Sequence, residues 1–362
     1  MAVPDFTSAL YLGLCHPSGS LRPWAQLSLG KPAGLEPPPR AAEVAAQVAA
    51  LQGCESGTLV PSALHLFWDL FGIFAREKVR IYLDSGTYPI ACWGVERAAA
   101  MGTPVHRFPH HDSDAARRAI GRDIRSGRRP VIVADGFCPG CGSAAPLVRY
   151  LRCVAPYDGH LVIDDTQALG IFGVPHAGAP YGSGGGGSLR LQGIHSANVI
   201  LGSSLAKGFG APVAALCGCE ALVRRFEMCS ETRVHASPPS VAAIHAAEQA
   251  LLINSRCGDA LRKRLQRLID YFRSKIRRLG LRVAGGIFPV QMLASNSAFD
   301  TSELHHRLVA AGVNTVLHRD RSGPDSRLSF LITAAHRVEE IDLAIATLKA
   351  ASRHSVREFT WG

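Results

Sequence analysis

Apolar residues fall along this chain in two alternating rhythms. Short, nearly continuous apolar runs occur at Val79-Arg-Ile-Tyr-Leu83, Pro130-Val-Ile-Val-Ala134, His160-Leu-Val-Ile-Asp164 and Asn198-Val-Ile-Leu201. Their length and β-branched content predict strands. Among them, Ala42 to Leu51, Leu64 to Phe74, Ile90 to Met101 and Ala145 to Ala155 carry apolar residues at helical spacing. This alternation implies an α/β fold with a mostly parallel, doubly wound sheet and helices on both faces. After Pro238-Pro239 the rhythm changes to one long amphipathic stretch, Ser240 to Leu279, which Gly258 is expected to bend or divide. A strand (Gly286 to Ala294), a helix (Ser302 to Ala311), a strand (Arg327 to Thr333) and a helix (Val338 to Ala351) follow. The expected organisation is an N-terminal arm over 1–40, rich in Pro and Gly, a large domain over 41–237, and an interdomain helix with a smaller α+β domain over 238–362. Tyr181-Gly-Ser-Gly-Gly-Gly-Gly-Ser188 is expected to be a mobile loop.

Composition narrows the class. The 362 residues suffice for a large and a small domain, and 47% hydrophobic against 19% charged residues is a globular balance. No apolar run reaches the length of a membrane span, and the N-terminus lacks the basic and apolar regions of a secretory signal. Ten cysteines without a repeating framework fit reduced thiols, hence a cytoplasmic setting. The net charge of +10 raises the question of nucleic acid. The basic residues are dispersed, however, and groups such as Arg262-Lys-Arg264 sit in helical patterns that read as solvated faces. The charge suits an anionic substrate or carrier, and no nucleic-acid or membrane partner is expected.

Two residues carry candidate chemistry by their position. Asp164 ends one apolar strand, and Lys207 follows another within Gly202-Ser-Ser-Leu-Ala-Lys207-Gly-Phe-Gly210. Open α/β sheets build their sites at strand ends. Small neighbours leave the lysine room for a bulky adduct, and partial desolvation would make it nucleophilic. An acid on a neighbouring strand could hold a pyridinium nitrogen protonated. On spacing alone, a surface lysine and an ordinary strand-end aspartate account for the pattern equally well.

Further segments form a series. Tyr11-Leu-Gly-Leu-Cys-His-Pro17, Asp135-Gly136 followed by Ala145-Pro146-Leu147, Asp164-Asp-Thr-Gln-Ala-Leu-Gly170, Ser204-Leu-Ala-Lys207-Gly-Phe-Gly210 and Arg327-Leu-Ser-Phe-Leu-Ile-Thr-Ala-Ala-His336 stand in order along the chain. Together they resemble the α-oxoamine synthase family of fold-type I pyridoxal-phosphate (PLP) enzymes. The resemblance implies a PLP-dependent acyltransferase acting at the interface of a homodimer, in which an amino acid condenses with an acyl thioester of coenzyme A or a carrier protein to an α-amino ketone. It further implies a Schiff base on Lys207, pairing of Asp164 with the pyridine nitrogen, and a Ser204 hydroxyl on the phosphate. Ser62, Ala63 and Leu64 match the family's phosphate-binding helix start, where backbone N–H groups and the helix dipole hold an anion. Ser62 also fits a simple N-cap.

The chain departs from the family pattern at several positions. Tyr88 stands where the family stacks a histidine on the cofactor ring, and it fits either stacking or core packing. Gln167 replaces the histidine of the DDxH motif; its amide can still donate to the cofactor's phenolic oxygen but cannot titrate near neutrality. Cys138-Pro-Gly-Cys141 is a lone CxxC, which reads as reduced thiols rather than a zinc site. The arginine that clamps the substrate carboxylate falls at Ser329, with Arg327 two residues away as a possible substitute. Two alternatives stay open: a PLP enzyme with another outcome, such as aminotransfer or decarboxylation of an unusual amino substrate, or a non-catalytic family member.

Overall fold

The computed structural model describes residues 3–294, 300–319 and 326–358. They divide into two compact units: a larger one of residues 14–138 and 144–259, and a smaller one of residues 1–13, 139–143 and 260–362.

The larger unit is built on a seven-stranded sheet. Its strands are β1 (Ser56–Val60), β2 (Val79–Asp84), β3 (Val105–Phe108), β4 (Arg129–Asp135), β5 (His160–Asp164), β6 (Val199–Ser204) and β7 (Ala214–Gly218). The spatial order is β1-β7-β6-β5-β4-β2-β3. Strands β3, β2, β4, β5 and β6 run parallel, while β7 is antiparallel to both of its neighbours. Strands β1, β3 and β7 were not foreseen; β3 (Val-His-Arg-Phe) and β7 lack the long β-branched run that marked the others.

Four helices match the helical rhythm closely, α1 (Ala41–Gln52), α2 (Ala63–Phe74), α3 (Pro89–Ala100) and α5 (Leu147–Val154), while α4 (Ser113–Asp123) was not foreseen. Ala145 and Pro146 precede α5, as expected when proline fixes the entry to a helix. Leu66, Phe67, Leu70 and Phe71 of α2 pack on Ile81, Leu83, Val131, Val133, Val162 and Ile200, all buried. Each such side chain contributes about 1.5–3 kcal/mol of burial. This core clamps α2 to the sheet and so fixes where its N-terminus sits.

Helix α6 (Val241–Arg278) runs unbroken for 38 residues, straight through Gly258. The expected bend is absent because a mid-helix glycine costs only about 1 kcal/mol, which the apolar stripe Leu265, Leu268, Ile269 and Phe272 easily offsets. Arg262 departs from the solvated face expected of its cluster. It is almost wholly buried, while Lys263 and Arg264 stay exposed.

The glycine-rich segment is likewise not a loose loop. Ala179–Ser183 is a strand, Ser188–Gln192 a short helix, and Tyr181, Gly185, Gly186 and Gly187 are buried. A Cβ on Gly186 would lie 2.3 Å from the Leu51 carbonyl oxygen, and one on Gly187 (φ +83°) 2.0 Å from Asp165 Oδ2. The glycines are there for close approach, not for flexibility.

The smaller unit carries an antiparallel sheet of four strands, β8 (Val283–Ala284), β9 (Val290–Leu293), β10 (Val316–Arg319) and β11 (Ser326–Leu331), in the order β8-β9-β11-β10. Helices α7 (Thr301–Ala310) and α8 (Val338–Glu358) complete it. The first residues of the chain belong here: Phe6 is fully buried, stacked on His336 at 4.6 Å and edge-on to Phe330.

Candidate active site

Three neighbouring strands of the large sheet end in acids: Asp84 on β2, Asp135 on β4 and Asp164 on β5. Asp164 lies in register with Asp135 on one side and Gly202 on the other. Strand β6 ends at Ser204, and Lys207 follows in the turn after it. Two sequence motifs interlock at this point. Gly170 (φ +85°) backs against Gly208, and a Cβ on Gly208 would come within 2.5 Å of the Leu169 carbonyl. A glycine beside the lysine is therefore required by backbone contact.

A cavity of about 340 Å³ opens at these strand ends. Its wall is formed by Asp135, Asp164, Thr166, Gln167, Ser204, Ala206 and Lys207. Tyr88 and Ile90 close one side, and Ser62, Ala63 and Leu64 at the start of α2 another. A larger cavity of about 540 Å³ beside Arg22, His245 and Glu248 holds none of the candidate residues. The structure thus gathers Lys207, Asp164, Gln167, Ser204, Tyr88, Ser62, Ala63 and Leu64 into one cavity. Thr166, Ile90, Ala206 and Asp135 also line it without having been singled out. Asp135 was detectable, since it ends an apolar strand as Asp164 does.

Electrostatics distinguish the groups. Burial lowers the pKa of the half-buried Lys207 amine, opposed by the charges of Asp164 and Asp135. The Nζ lies 5.3 Å from the centre of the Tyr88 ring. Burial raises Asp164, but the amide of Thr166 donates to its Oδ1 at 3.0 Å and the Thr166 hydroxyl also holds the charged form. The Ser204 amide donates to Thr166 Oγ1 at 3.0 Å, tying the lysine turn to the aspartate turn. Behind Asp164 lies the fully buried Asp165, which burial pushes up to about 7.

Ser62 occupies the N-cap position of α2, yet its hydroxyl pairs with His65 Nδ1 at 2.9 Å and caps no helix amide. The helix start therefore presents its first-turn amides to the cavity without a side-chain cap, the arrangement that receives an anion. With a desolvated lysine and the Asp164 carboxyl lining the same cavity, this donor set fits a phosphate-bearing pyridine aldehyde.

Arg327 and Ser329 stand on β11 of the smaller unit and are not among the residues lining the cavity. Arg327 is exposed, in register with His318. Ser329 is fully buried, and its Oγ has no hydrogen-bond partner among the described residues. None of the ten cysteines is joined in a disulfide, Cys138 and Cys141 included.

The family model for aminotransferase class I and II matches residues 34–348. The chain belongs to that family. Similar sequences within it are 8-amino-7-oxononanoate synthases. That of Alcanivorax borkumensis is 29% identical over 258 residues, covering 70% of this chain and 64% of the relative. That of Yersinia enterocolitica is 28% identical over 258 residues, covering 70% of this chain and 63% of the relative. The chain thus spans just under two thirds of the length of these curated relatives, and they bear out the α-oxoamine synthase resemblance read from its motifs. Among solved structures, Sphingomonas wittichii serine palmitoyltransferase superposes with a TM-score of 0.83 at 15% identity, covering 98% of this chain and 88% of that one. The 8-amino-7-oxononanoate synthase of Francisella tularensis gives a TM-score of 0.72 at 17% identity, covering 97% and 98%. The fold is that of the fold-type I PLP enzymes. Among the described residues, no helix is long and apolar enough to cross a membrane.

Proposed function

We propose that this protein is a PLP-dependent acyltransferase that condenses an amino acid with an acyl thioester, releasing carbon dioxide and free thiol and leaving an α-amino ketone. The observation that carries this reading is the convergence of Lys207, Asp164 and the uncapped start of α2 on one cavity at the carboxyl ends of parallel strands. The names of the relatives, 8-amino-7-oxononanoate synthase and serine palmitoyltransferase, favour acyl transfer over aminotransfer. PLP bound here would supply an electron sink for bond breaking at the amino acid Cα.

The chain's own residues divide the work. Lys207 would hold the cofactor through Nζ, and its amine would serve to move the Cα proton. Asp164 would pair with the pyridine nitrogen, with the Thr166 amide and hydroxyl favouring its charged form against burial. The Gln167 amide would donate to the phenolic oxygen; Ser204, Ser62 and the amides of Ala63 and Leu64 would hold the phosphate, with Tyr88 against the ring. For the substrate carboxylate the candidate is the exposed Arg327, while the fully buried Ser329 is not available for that role.

In this reading residues 41–237 form the PLP-binding domain, preceded by the arm and followed by the helix and small domain. The protein works in the cytoplasm as a homodimer. Leu64 and Tyr88, 40% and 48% exposed at the cavity, suit a surface covered by a second copy.

The test is an absorbance titration with PLP of wild type beside Lys207→Ala, followed by thiol release from acyl thioesters over a panel of amino acids. A visible band that needs Lys207, with thiol released for one amino acid, is expected. Thiol-free amino transfer would turn the assignment to aminotransferase, and the absence of any Lys207-dependent band would overturn the cofactor reading.

A further inference from the structure

The turn that carries Lys207 joins β6 to β7 and closes on itself through the backbone. The Leu205 amide donates to the Val213 carbonyl at 2.9 Å, and the Ala211 amide donates to the Leu205 carbonyl at 3.2 Å. Lys207, Gly208, Phe209 and Gly210 lie in the loop between these closures. Where the turn leaves β6, the Ser204 amide ties it to Thr166 Oγ1 at 3.0 Å. The Phe209 ring is fully buried. Its carbonyl receives no backbone amide among the described residues, so a donor must come from elsewhere in the fold.

That donor is His16, 193 residues earlier in the chain, whose Nε2 lies 2.7 Å from the Phe209 carbonyl oxygen. A carbonyl only accepts, so Nε2 carries the proton. The histidine stands at φ +44°, just before Pro17. Few residues with a side chain adopt that backbone, and it persists only where the surroundings over-determine it. Beyond it the arm stays fastened to the larger unit. His245 Nδ1 meets the Arg22 carbonyl at 2.8 Å, and the Val241 amide donates to the Leu27 carbonyl at 3.0 Å. The anchored arm thus gives the His16 ring a fixed base. His16 is not among the residues lining the cavity, so any effect it has on the chemistry passes through Phe209.

We propose that His16 is a positioning residue for Lys207: its ring N–H fastens the Phe209 carbonyl and so holds the turn that aims the lysine amine into the cavity. The inference rests on the reading of Lys207 as the reactive amine. Thr166 holds the turn three residues before the lysine, at Ser204, and His16 holds it two residues after, at Phe209. Braced on both sides, Lys207 keeps one approach to the cavity, with Nζ 5.3 Å from the centre of the Tyr88 ring. With the His16 brace removed, the turn keeps its Ser204 tie and pivots about it. The amine then spends less time aligned, while the cavity wall stays as it is.

The experiment uses the full-length protein, first without cofactor and then with PLP, as wild type, His16→Phe and His16→Gln. Phenylalanine keeps a ring and removes the donor, whereas the glutamine amide offers an N–H at a similar reach. Thermal melts verify that each variant folds. Without cofactor, hydrogen–deuterium exchange read by mass spectrometry follows the amides of Leu205, Ala211 and Val213, with β2 as an internal control. Exchange in the turn should quicken about tenfold in His16→Phe, the worth of one hydrogen bond, and return toward wild type in His16→Gln, with β2 unchanged. The rate of PLP capture, followed by absorbance, should fall about tenfold in His16→Phe and recover in His16→Gln. Turn exchange within about twofold of wild type in His16→Phe, or β2 quickening to the same extent, overturns the proposal. So does a loosened turn that captures PLP at the wild-type rate. If wild type captures no PLP at all, the cofactor reading falls by itself, and the exchange data still decide whether His16 holds the lysine turn.

Discussion

At the carboxyl end of the large sheet, Asp135, Asp164 and Lys207 meet in one cavity. On β11, the position where the family motif carries an arginine is a buried serine whose hydroxyl has no partner among the described residues. The strand ends thus keep ionisable groups in place through a second layer of contacts, whereas β11 carries at this position an uncharged side chain without such contacts. Groups that hold a cofactor depend on several backbone contacts at once and resist change. A carboxylate clamp is a single side chain on a regular strand, free to be exchanged as the substrate changes.

The sharpest way to break this contrast is at Asp164. Asp164→Asn removes the charge opposite the lysine while keeping the shape, and thiol-releasing turnover should fall about 10²–10³-fold, roughly 3–4 kcal/mol of transition-state stabilisation. Steady-state assay of free thiol measures it, and unchanged turnover would mean that this acid has no part in the chemistry.

The second layer should show itself in stability. Gly187→Ala forces a side chain toward Asp165 at a left-handed backbone position and should destabilise the fold by about 3 kcal/mol in urea denaturation. A neutral result would restore the picture of a loose glycine loop.

Asp165 itself predicts a pH dependence. Its folded pKa of about 7 lies above the ordinary 3.8, so the folded state keeps a proton that the unfolded chain releases. Its contribution is present in full below the unfolded value and is lost as pH rises through about 7. Asp135 and Asp164, also raised, act in the same direction. Melting temperature should therefore fall from pH 5 to pH 8, and fall less in Asp165→Asn, by the equivalent of about 3 kcal/mol. Equal slopes for the two proteins would show Asp165 ionised throughout.

The smallest effect is expected on β11. Ser329→Ala deletes a buried hydroxyl that has no hydrogen-bond partner among the described residues, and should be neutral or stabilising by about 1 kcal/mol. A clear loss of stability would show that the hydroxyl is held and that β11 is more specialised than its partner regions suggest.

Helix and strand rhythms were legible in the chain because they rest on local periodicity: the expected helix over 90–101 is Pro89–Ala100, and the expected strand over 160–164 is His160–Asp164. Short strands such as Val105–Phe108 were not, since four mixed residues carry too little pattern. Most cavity residues could be named in advance because a strand-end acid, a lysine among small residues and a helix start are local signatures. Their assembly followed from parallel strands ending on one edge of the sheet.

What the sequence by itself determined, then, was the set of elements and the identity of Lys207 and Asp164 as candidates, since both follow from neighbours close in the chain. Tertiary structure alone decided the rest. Gly186 and Gly187 proved to press on Leu51 and Asp165, Arg262 proved buried, and Asp135 proved the least-held of the strand-end acids. Burial, close approach and the sharing of a proton between carboxylates depend on which distant segments meet, and no local pattern encodes those distances.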